Sequence, residues 1–386
     1  MSEPCASDDA SSPVQSATTK LASASVRYPI RVLTIGNAPA GPHSRGGMAT
    51  VMRLLLEDRD MRFRIRVVAT YVDSALPARL LLGIWGIIKS SVLVLIGQAD
   101  VLHVHYSYRG SIVRKAVPLF AARLRGVPTI IHCHSSQFFE WMDRLPLSVR
   151  RAVRACLRAD YCLVLGQSHV DEAHVALGFD ESNTRVLYNP VVMPEAAPSP
   201  RTQRPLRAVS LGRLGENKGT YDLVRAIGML PADIRSDLLI TLAGDGEVAE
   251  AREFIRRNGL DDVIDVVGWV EPVVRDQMLA ESAILVLPSY SEGLPMAVLE
   301  AMAHGVVPVT TAVGAIPEVI SDGVDGLLVR PGDAEQLAAA LQSLVSDDGL
   351  RCRLAAAAHS RVTEFDIAHW RESLHSVWIA AASRQG

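Results

Sequence analysis

Ile284-Leu-Val-Leu-Pro-Ser-Tyr-Ser-Glu-Gly-Leu-Pro-Met-Ala-Val-Leu-Glu-Ala-Met-Ala-His-Gly305 opens as a strand and closes as a helix. Ile284–Leu287 is a short aliphatic run of the kind buried on both faces of a parallel sheet. Met296–His304 reads as a helix, and Gly293, Leu294, Pro295 and Met296 form the turn into it. The first backbone N–H groups of such a helix lack partners, so the turn is a seat for an anion. Pro295 suits a first turn, where no N–H bond is lost. Two acids flank the turn, Glu292 in the loop and Glu300 inside the helix. An ionised carboxylate only accepts hydrogen bonds. Glu300 therefore suits two neighbouring hydroxyls of a ribose, and Glu292 the hydroxyls of a sugar. A capped surface helix accounts for the proline but not for both acids around Gly-Leu-Pro.

The same strand-to-helix rhythm runs outward in both directions. Upstream, Ile30–Ile35, Ile65–Ala69, Asp100–His105, Thr129–Cys133 and Tyr161–Leu165 read as buried strands. Helix-period segments such as Met48–Leu56, Ile112–Arg125 and Leu147–Arg158 lie between them. A stretch with Pro190, Pro194, Pro198, Pro200 and Pro205 reads as a linker. Strands then resume at Ala208–Leu211, Leu238–Ala243, Val263–Val267, Ile284–Leu287, Val307–Thr310 and Leu327–Val329. This predicts an α/β chain of two doubly wound parallel sheets facing across a cleft, with ligands at the carboxyl ends of the strands. The expected division is a tail over 1–27, a first domain over 28–189 and a linker over 190–206. A second domain follows over 207–365, then a last helix over 366–386 packing back toward the first domain. The tail is rich in Ser, Ala, Thr and Asp, has no apolar run after a basic start, and reads as disordered and not as a signal peptide.

Further motifs sit at strand ends. Ser210-Leu-Gly-Arg-Leu-Gly-Glu-Asn-Lys-Gly219 places Arg213 and Lys218 around a glycine-containing turn that includes Gly212. A guanidinium fork and a point ammonium can converge there on one diphosphate and stabilise it as it departs. Leu242-Ala-Gly-Asp-Gly-Glu247 ends a strand in a turn where Gly244 and Gly246 permit close backbone approach. Ser44-Arg-Gly-Gly-Met-Ala49 opens the first helix, and Gly46 and Gly47 can admit a donor phosphate or an acceptor to the backbone. His103 with His105, and His132 with His134, alternate at two strand ends. Such pairs can resemble a metal site, but no supporting carboxylate is evident.

These motifs together resemble glycosyltransferase family 4, whose members have the GT-B fold. Glu292-Gly-Leu-Pro295 with Glu300 is similar to that family's E-x7-E signature. The resemblance implies that Glu300 holds the nucleotide ribose and Glu292 the donor sugar. Arg213 and Lys218 match its G-R-x-x-x-x-K-G element on the diphosphate. Gly244 and Gly246, with Trp269 and Val270 after the next strand, resemble its nucleotide-base loop. Gly46 and Gly47 resemble its first-domain glycine loop. His134 matches an active-site histidine, with Ser135 where the family has glycine. Asn189-Pro-Val191 resembles a turn in which Pro190 stands for glycine, so no role carries over. The likeness covers roughly residues 30–365 and is sharper in the second half. It implies a retaining glycosyltransferase using a nucleotide-diphosphate sugar as co-substrate, with no metal and no other cofactor. The alternatives on the same residues are a nucleotide-sugar epimerase of the same fold and a catalytically inactive binding subunit.

Charge and cysteine content bear on location. Residues 20–190 hold 22 Lys+Arg against 12 Asp+Glu, and residues 191–386 hold 17 against 27. A basic half facing an anionic partner, phospholipid or phosphorylated acceptor, is expected. Nothing points to nucleic acid. Five cysteines with no C-x-x-C pair read as reduced thiols in a cytoplasmic protein. Leu80–Ile96 is apolar apart from Lys89 and two serines. It is expected to pack on the first domain or to lie on a membrane surface. A true span is disfavoured because Lys89 costs ~3 kcal/mol at a bilayer centre, and because the flanking strands share one sheet. The acceptor is then expected to be a saccharide or a lipid-linked saccharide of envelope or exopolysaccharide assembly, met at the inner face of the membrane.

Overall fold

A computed structural model describes residues 28–41, 44–196 and 198–385; the expectation for the tail, 1–27, lies outside the described residues. Two six-stranded, all-parallel sheets form the frame. The first contains β1 (Ile30–Asn37), β2 (Phe63–Tyr71), β3 (Val101–Tyr106), β4 (Thr129–Cys133), β5 (Tyr161–Val164) and β6 (Thr184–Val186), in the order β2-β1-β3-β4-β5-β6. The second contains β7 (Leu206–Leu211), β8 (Leu238–Ala243), β9 (Ile264–Gly268), β10 (Ile284–Leu287), β11 (Val307–Thr311) and β12 (Leu327–Val329), in the order β12-β11-β10-β7-β8-β9. The aliphatic runs are strands because both faces are covered by helices; β3, β4, β5 and β10 are buried at every position.

Each sheet reverses direction once. In the first, the chain leaves β1 for β2 on one side and returns to β3 on the other. In the second, it leaves β7 for β8 and β9, then returns to β10 beside β7. Loops at such a reversal diverge to opposite faces and leave a crevice at the carboxyl edge. The loops after β7 and β10 are the two that carry the cations and the acids.

Helices α1 (Gly47–Leu56), α2 (Leu76–Leu95) and α3 (Gly110–Arg125) connect the first four strands. Helix α2 packs on the first domain, one of the two expected placements, but through its small residues and not its bulk. Its buried residues are Gly83, Gly86, Ser90, Ser91 and Val94, while Leu81, Ile84, Trp85 and Ile88 are exposed. A Cβ on Gly86 would stand 2.3 Å from the carbonyl oxygen of Ala69 on β2. The helix approaches the sheet through its small residues, and its bulky apolar side chains face away.

The chain crosses between the lobes twice. Val191 and Asp366 pair as a parallel bridge, with Val191 N–H donating to Phe365 O at 2.9 Å and Ile367 N–H to Val191 O at 2.8 Å. The final helix, Ile367–Ala382, then buries Trp370, Leu374 and Trp378 under the first sheet with Ile30, Val32 and Leu163. Five helices and one strand go beyond the sequence reading: Gln137–Asp143, Ser168–Leu177, Ala232–Ser236, Pro272–Glu281, Ile316–Val319 and β6. All are short, and a three- to ten-residue element shows too few turns or alternations for a periodicity to register.

Candidate active site

The loop after β7 turns at Gly212 and again at Gly215, then closes in a short 3-10 turn over Glu216–Lys218. It stacks on the loop after β8. Gly212 N–H donates to Ala243 O at 3.1 Å, and Leu214 N–H to Asp245 O at 2.7 Å. A Cβ on Gly244 would lie 1.7 Å from Gly212 O, and one on Gly246 would lie 2.3 Å from Leu214 O. Both glycines are required by this backbone contact, and Gly246 also has φ 100°. Gly244 N–H in turn donates to Gly268 O at 2.7 Å, which brings Trp269 and Val270 to the same edge.

Lys218 reaches across the crevice between β7 and β10. Its Nζ lies 2.5 Å from Glu292 Oε1, and Ser289 Oγ donates to that same oxygen at 2.7 Å. Glu292 is 9% exposed, so the carboxylate leaves water only because an ammonium and a hydroxyl satisfy it. Arg213 stands on the same loop, exposed, its Cγ packed 2.9 Å from the Cβ position of Gly246. Among the described residues, no carboxylate pairs with it. The site thus holds one committed cation and one free one.

Pro295 is the cap residue before Met296–Ala303, with extended backbone, and not the first helical residue. Glu300 projects from this helix and pairs with Arg275 Nη1 at 3.1 Å. Burial raises the Glu300 carboxyl above its usual range, and the Arg275 charge pulls it back down. Arg275 sits on Pro272–Glu281, a helix the sequence reading passed over. A proline just inside a helix start was the available signal.

The first lobe closes over this edge. Ser136 Oγ and Ser291 Oγ are 2.8 Å apart, and Asn189 Nδ2 donates to Leu294 O at 2.6 Å. A Cβ on Gly293 would stand 2.9 Å from Leu165 Cδ1 and 3.8 Å from His134 O. A Cβ on Gly47 would stand 3.2 Å from Met296 Cγ, so the first-domain glycine turn of Gly46 and Gly47 abuts the start of the Glu300 helix. Arg45, beside that turn, stacks 4.5 Å over Trp269 and lies 3.6 Å from Asp245. Arg45 lies within the Ser44–Ala49 motif, where no short-range signal marks this contact. Glu318 is a second bridge that the reading left unassigned. It accepts Gln167 N–H at 2.6 Å, Ser168 N–H at 2.8 Å and the Tyr188 hydroxyl at 2.8 Å.

His134 faces Gly293 from just beyond β4. Its Nε2 is 2.8 Å from His105 Nδ1, and burial lowers its pKa to about 3, so the ring is neutral. His103, His105 and His132 lie behind it in the sheet, all buried and all depressed by burial. Their nitrogens fall within 4.8 Å of one another, a spacing that can hold a metal ion. Trp378 Nε1–H points at His103 Nδ1 at 3.4 Å, and an indole only donates. His103 Nδ1 is then an acceptor, and its proton sits on Nε2.

Residues 30–193 match the family model described as Glycosyltransferase Family 4, and residues 195–361 match the one described as Glycosyl transferases group 1. The two matched regions fall one to each sheet. A Campylobacter jejuni α-1,4-N-acetyl-D-galactosaminyltransferase that acts on a diNAcBac-PP-undecaprenol-linked saccharide is 29% identical over 42% of this chain and 45% of its own length. The amylovoran biosynthesis glycosyltransferase AmsK of Erwinia amylovora is 33% identical over 42% of each chain. The chain thus spans less than half the length of these curated relatives. Anabaena HepE, solved in complex with UDP, superposes with a TM-score of 0.71 over 91% of this chain and all of its own, at 18% identity. At that identity the likeness shows the fold, GT-B.

Proposed function

We propose that this chain is a retaining glycosyltransferase that needs no metal. It moves a sugar from a nucleoside-diphosphate sugar to a hydroxyl of a saccharide or lipid-linked saccharide. The observation that carries the reading is the contact of Lys218 with Glu292 at the β7–β10 reversal, beside an unpaired Arg213. The donor diphosphate lies against Arg213 and Lys218. The ribose hydroxyls meet Glu300, and the base meets the Gly244–Gly246 and Trp269–Val270 edge. Once Lys218 turns to phosphate, Glu292 accepts the hydroxyls of the sugar. His134, neutral, accepts or donates one hydrogen bond at the sugar from the opposite lobe.

In this scheme the bond from the anomeric carbon to the phosphate oxygen breaks as the diphosphate leaves. The acceptor hydroxyl forms its new bond on the same face, and its proton passes to the departing phosphate oxygen. The products are the nucleoside diphosphate and a glycoside of unchanged configuration. Arg213, and Lys218 once it has turned, supply the charge stabilisation that a metal would otherwise supply. Closure of the lobes excludes water that would hydrolyse the donor. UDP in the Anabaena structure favours a uridine donor, and the Campylobacter and Erwinia relatives favour an acceptor of surface-polysaccharide assembly. The work is placed on the cytoplasmic side of the membrane.

Thermal melts with UDP, GDP and ADP test the donor: UDP alone is expected to stabilise. Lys218→Ala tests the chemistry. Loss of one charge donor to a transition state costs about 10²–10³ in kcat, and that loss is expected here. Near-normal turnover in that variant would sink the scheme.

A further inference from the structure

We propose that the outer face of α2 and α3 is a docking surface for an anionic phospholipid bilayer, with both helices lying in the plane of the interface. This rests on the transferase reading only for its purpose; the surface stands on its own observations.

Helix α2 is amphipathic in the reverse of the usual sense. A helix of a water-soluble α/β domain turns its bulky apolar side chains to the sheet. Here the sheet side is Gly83, Gly86, Ser90, Ser91 and Val94, and the outward side carries Leu81 at 69% exposure, Ile84 at 56% and Trp85 at 62%. The stripe continues down the helix through Ile88, Val92 and Leu95. Helix α3 packs alongside, since a Cβ on Gly83 would touch Arg114 Cδ at 3.3 Å. It adds Val113, Val117, Phe120 and Leu124, spaced at helical intervals and each at least half exposed. One apolar surface over two neighbouring helices is far more than the scattered exposed residues of an ordinary monomer.

Charge names the occupant. Between Asp73 and Glu140 the sequence holds one acid, Asp100, which is paired with Arg31. The same segment holds Arg79, Lys89, Arg109, Arg114, Arg123 and Arg125, together with the buried Lys115. Among the described residues, none of these cations pairs with a carboxylate. Arg79 and Arg114 both stand within 6 Å of the Tyr71 ring at the end of β2. Bulky apolar side chains and a tryptophan, flanked by cations that no carboxylate neutralises among the described residues, fit the headgroup and acyl boundary of an anionic leaflet. A second copy of this chain fits less well. A two-fold contact would set this basic rim against itself.

The orientation serves the cleft. In a parallel sheet each connecting helix starts at the carboxyl ends of the strands. Leu76 and Gly110, the first residues of α2 and α3, therefore lie at the edge where the two lobes meet. Docking through α2 and α3 sets the cleft mouth beside the lipid headgroups, within reach of an acceptor anchored there.

The test uses the full chain and its I84E/I88E variant, both positions being exposed and outside the cleft. Vesicles of equal parts phosphatidylglycerol and phosphatidylcholine are compared with phosphatidylcholine alone, by co-sedimentation. The wild type is expected to partition to the anionic vesicles, with at least about 10-fold loss on neutral vesicles and about 10-fold loss in I84E/I88E. UDP stabilisation of the variant should equal that of the wild type, which separates docking from folding and from the cleft. Unchanged vesicle binding by I84E/I88E overturns the proposal. So does a wild type that ignores both vesicles, including one that sediments as a dimer which I84E/I88E splits. Vesicle binding without UDP binding would instead strike the transferase reading and leave the docking surface standing.

Discussion

Glu292 Oε1 takes both the Lys218 ammonium and the Ser289 hydroxyl, so its remaining oxygen is the one open to a ligand. Glu300 is in the opposite condition, with one cation and a burial that disfavours its charge. Arg275 therefore favours the ionised form of Glu300, the form that accepts. Arg275→Ala removes the attraction and leaves the desolvation. The acid limb of kcat/KM for the donor is expected to move to higher pH, because the carboxyl must be ionised to accept two ribose hydroxyls. An increase of about 10-fold in donor KM near neutral pH should accompany it, as expected for loss of a charge-assisted contact. A pH–rate profile in UDP-sugar checks both, and an unmoved acid limb would show that Glu300 is ionised without Arg275.

At the scale of elements, α2 shows what hydropathy can and cannot convey. The sequence reports how apolar Leu80–Ile96 is, and that it flanks two strands of one sheet. It does not report which side faces the protein, because apolar residues occur nearly all round the helix. The small residues settle that. Gly86 meets the backbone of β2 and tolerates no side chain, whereas Gly83 meets the flexible end of Arg114 at 3.3 Å and the Thr70 carbonyl oxygen at 3.4 Å. Gly86→Val is expected to lower stability by about 1–3 kcal/mol through overpacking against backbone, and Gly83→Ala by much less. Urea unfolding of the two variants makes the comparison. Equal losses would mean that α2 does not approach the sheet through Gly86. The donor-site loops were legible for a related reason. Gly212, Gly244 and Gly246 are short-range punctuation, and the cations and acids between them follow strands within a few residues.

The whole molecule carries a cost in its core. Four imidazoles are clustered along β3 and β4, with ring centroids of neighbours 4.1–5.1 Å apart. Burial holds His103 and His134 at about 3, against 6.5 for a free histidine, and pushes His105 and His132 well below it. The unfolded chain therefore binds protons that the folded chain refuses, between about pH 6.5 and about 3. Stability rises with pH across that window and is lost on acidification, because the unfolded chain alone takes up these protons. The urea midpoint should fall steeply from pH 7 to pH 5.5. A flat midpoint would mean that the cluster is charged or hydrated in the folded state. Lobe pairing belongs to this scale too. Burial raises the Glu318 carboxyl, but the Ser168 and Gln167 N–H groups and the Tyr188 hydroxyl bring it below its usual value. The start of the helix Ser168–Leu177 is thus capped by an acid from the other lobe.

By itself the sequence determined the strand-and-helix rhythm, the two sheets, and the local sets Arg213–Lys218 and Glu292–Glu300. Each of these is written within about ten residues, where periodicity and turn chemistry act. Tertiary structure alone decided the partners. Arg275 reaches Glu300 from another helix, Arg45 reaches Trp269 and Asp245 from another domain, and Glu318 caps a helix about 150 positions away in the chain. It also decided that α2 turns its bulk outward. Short-range order fixes which residues neighbour one another along an element. Only the packing of whole elements fixes which charges meet across a gap, and which faces are left to the solvent or to a membrane.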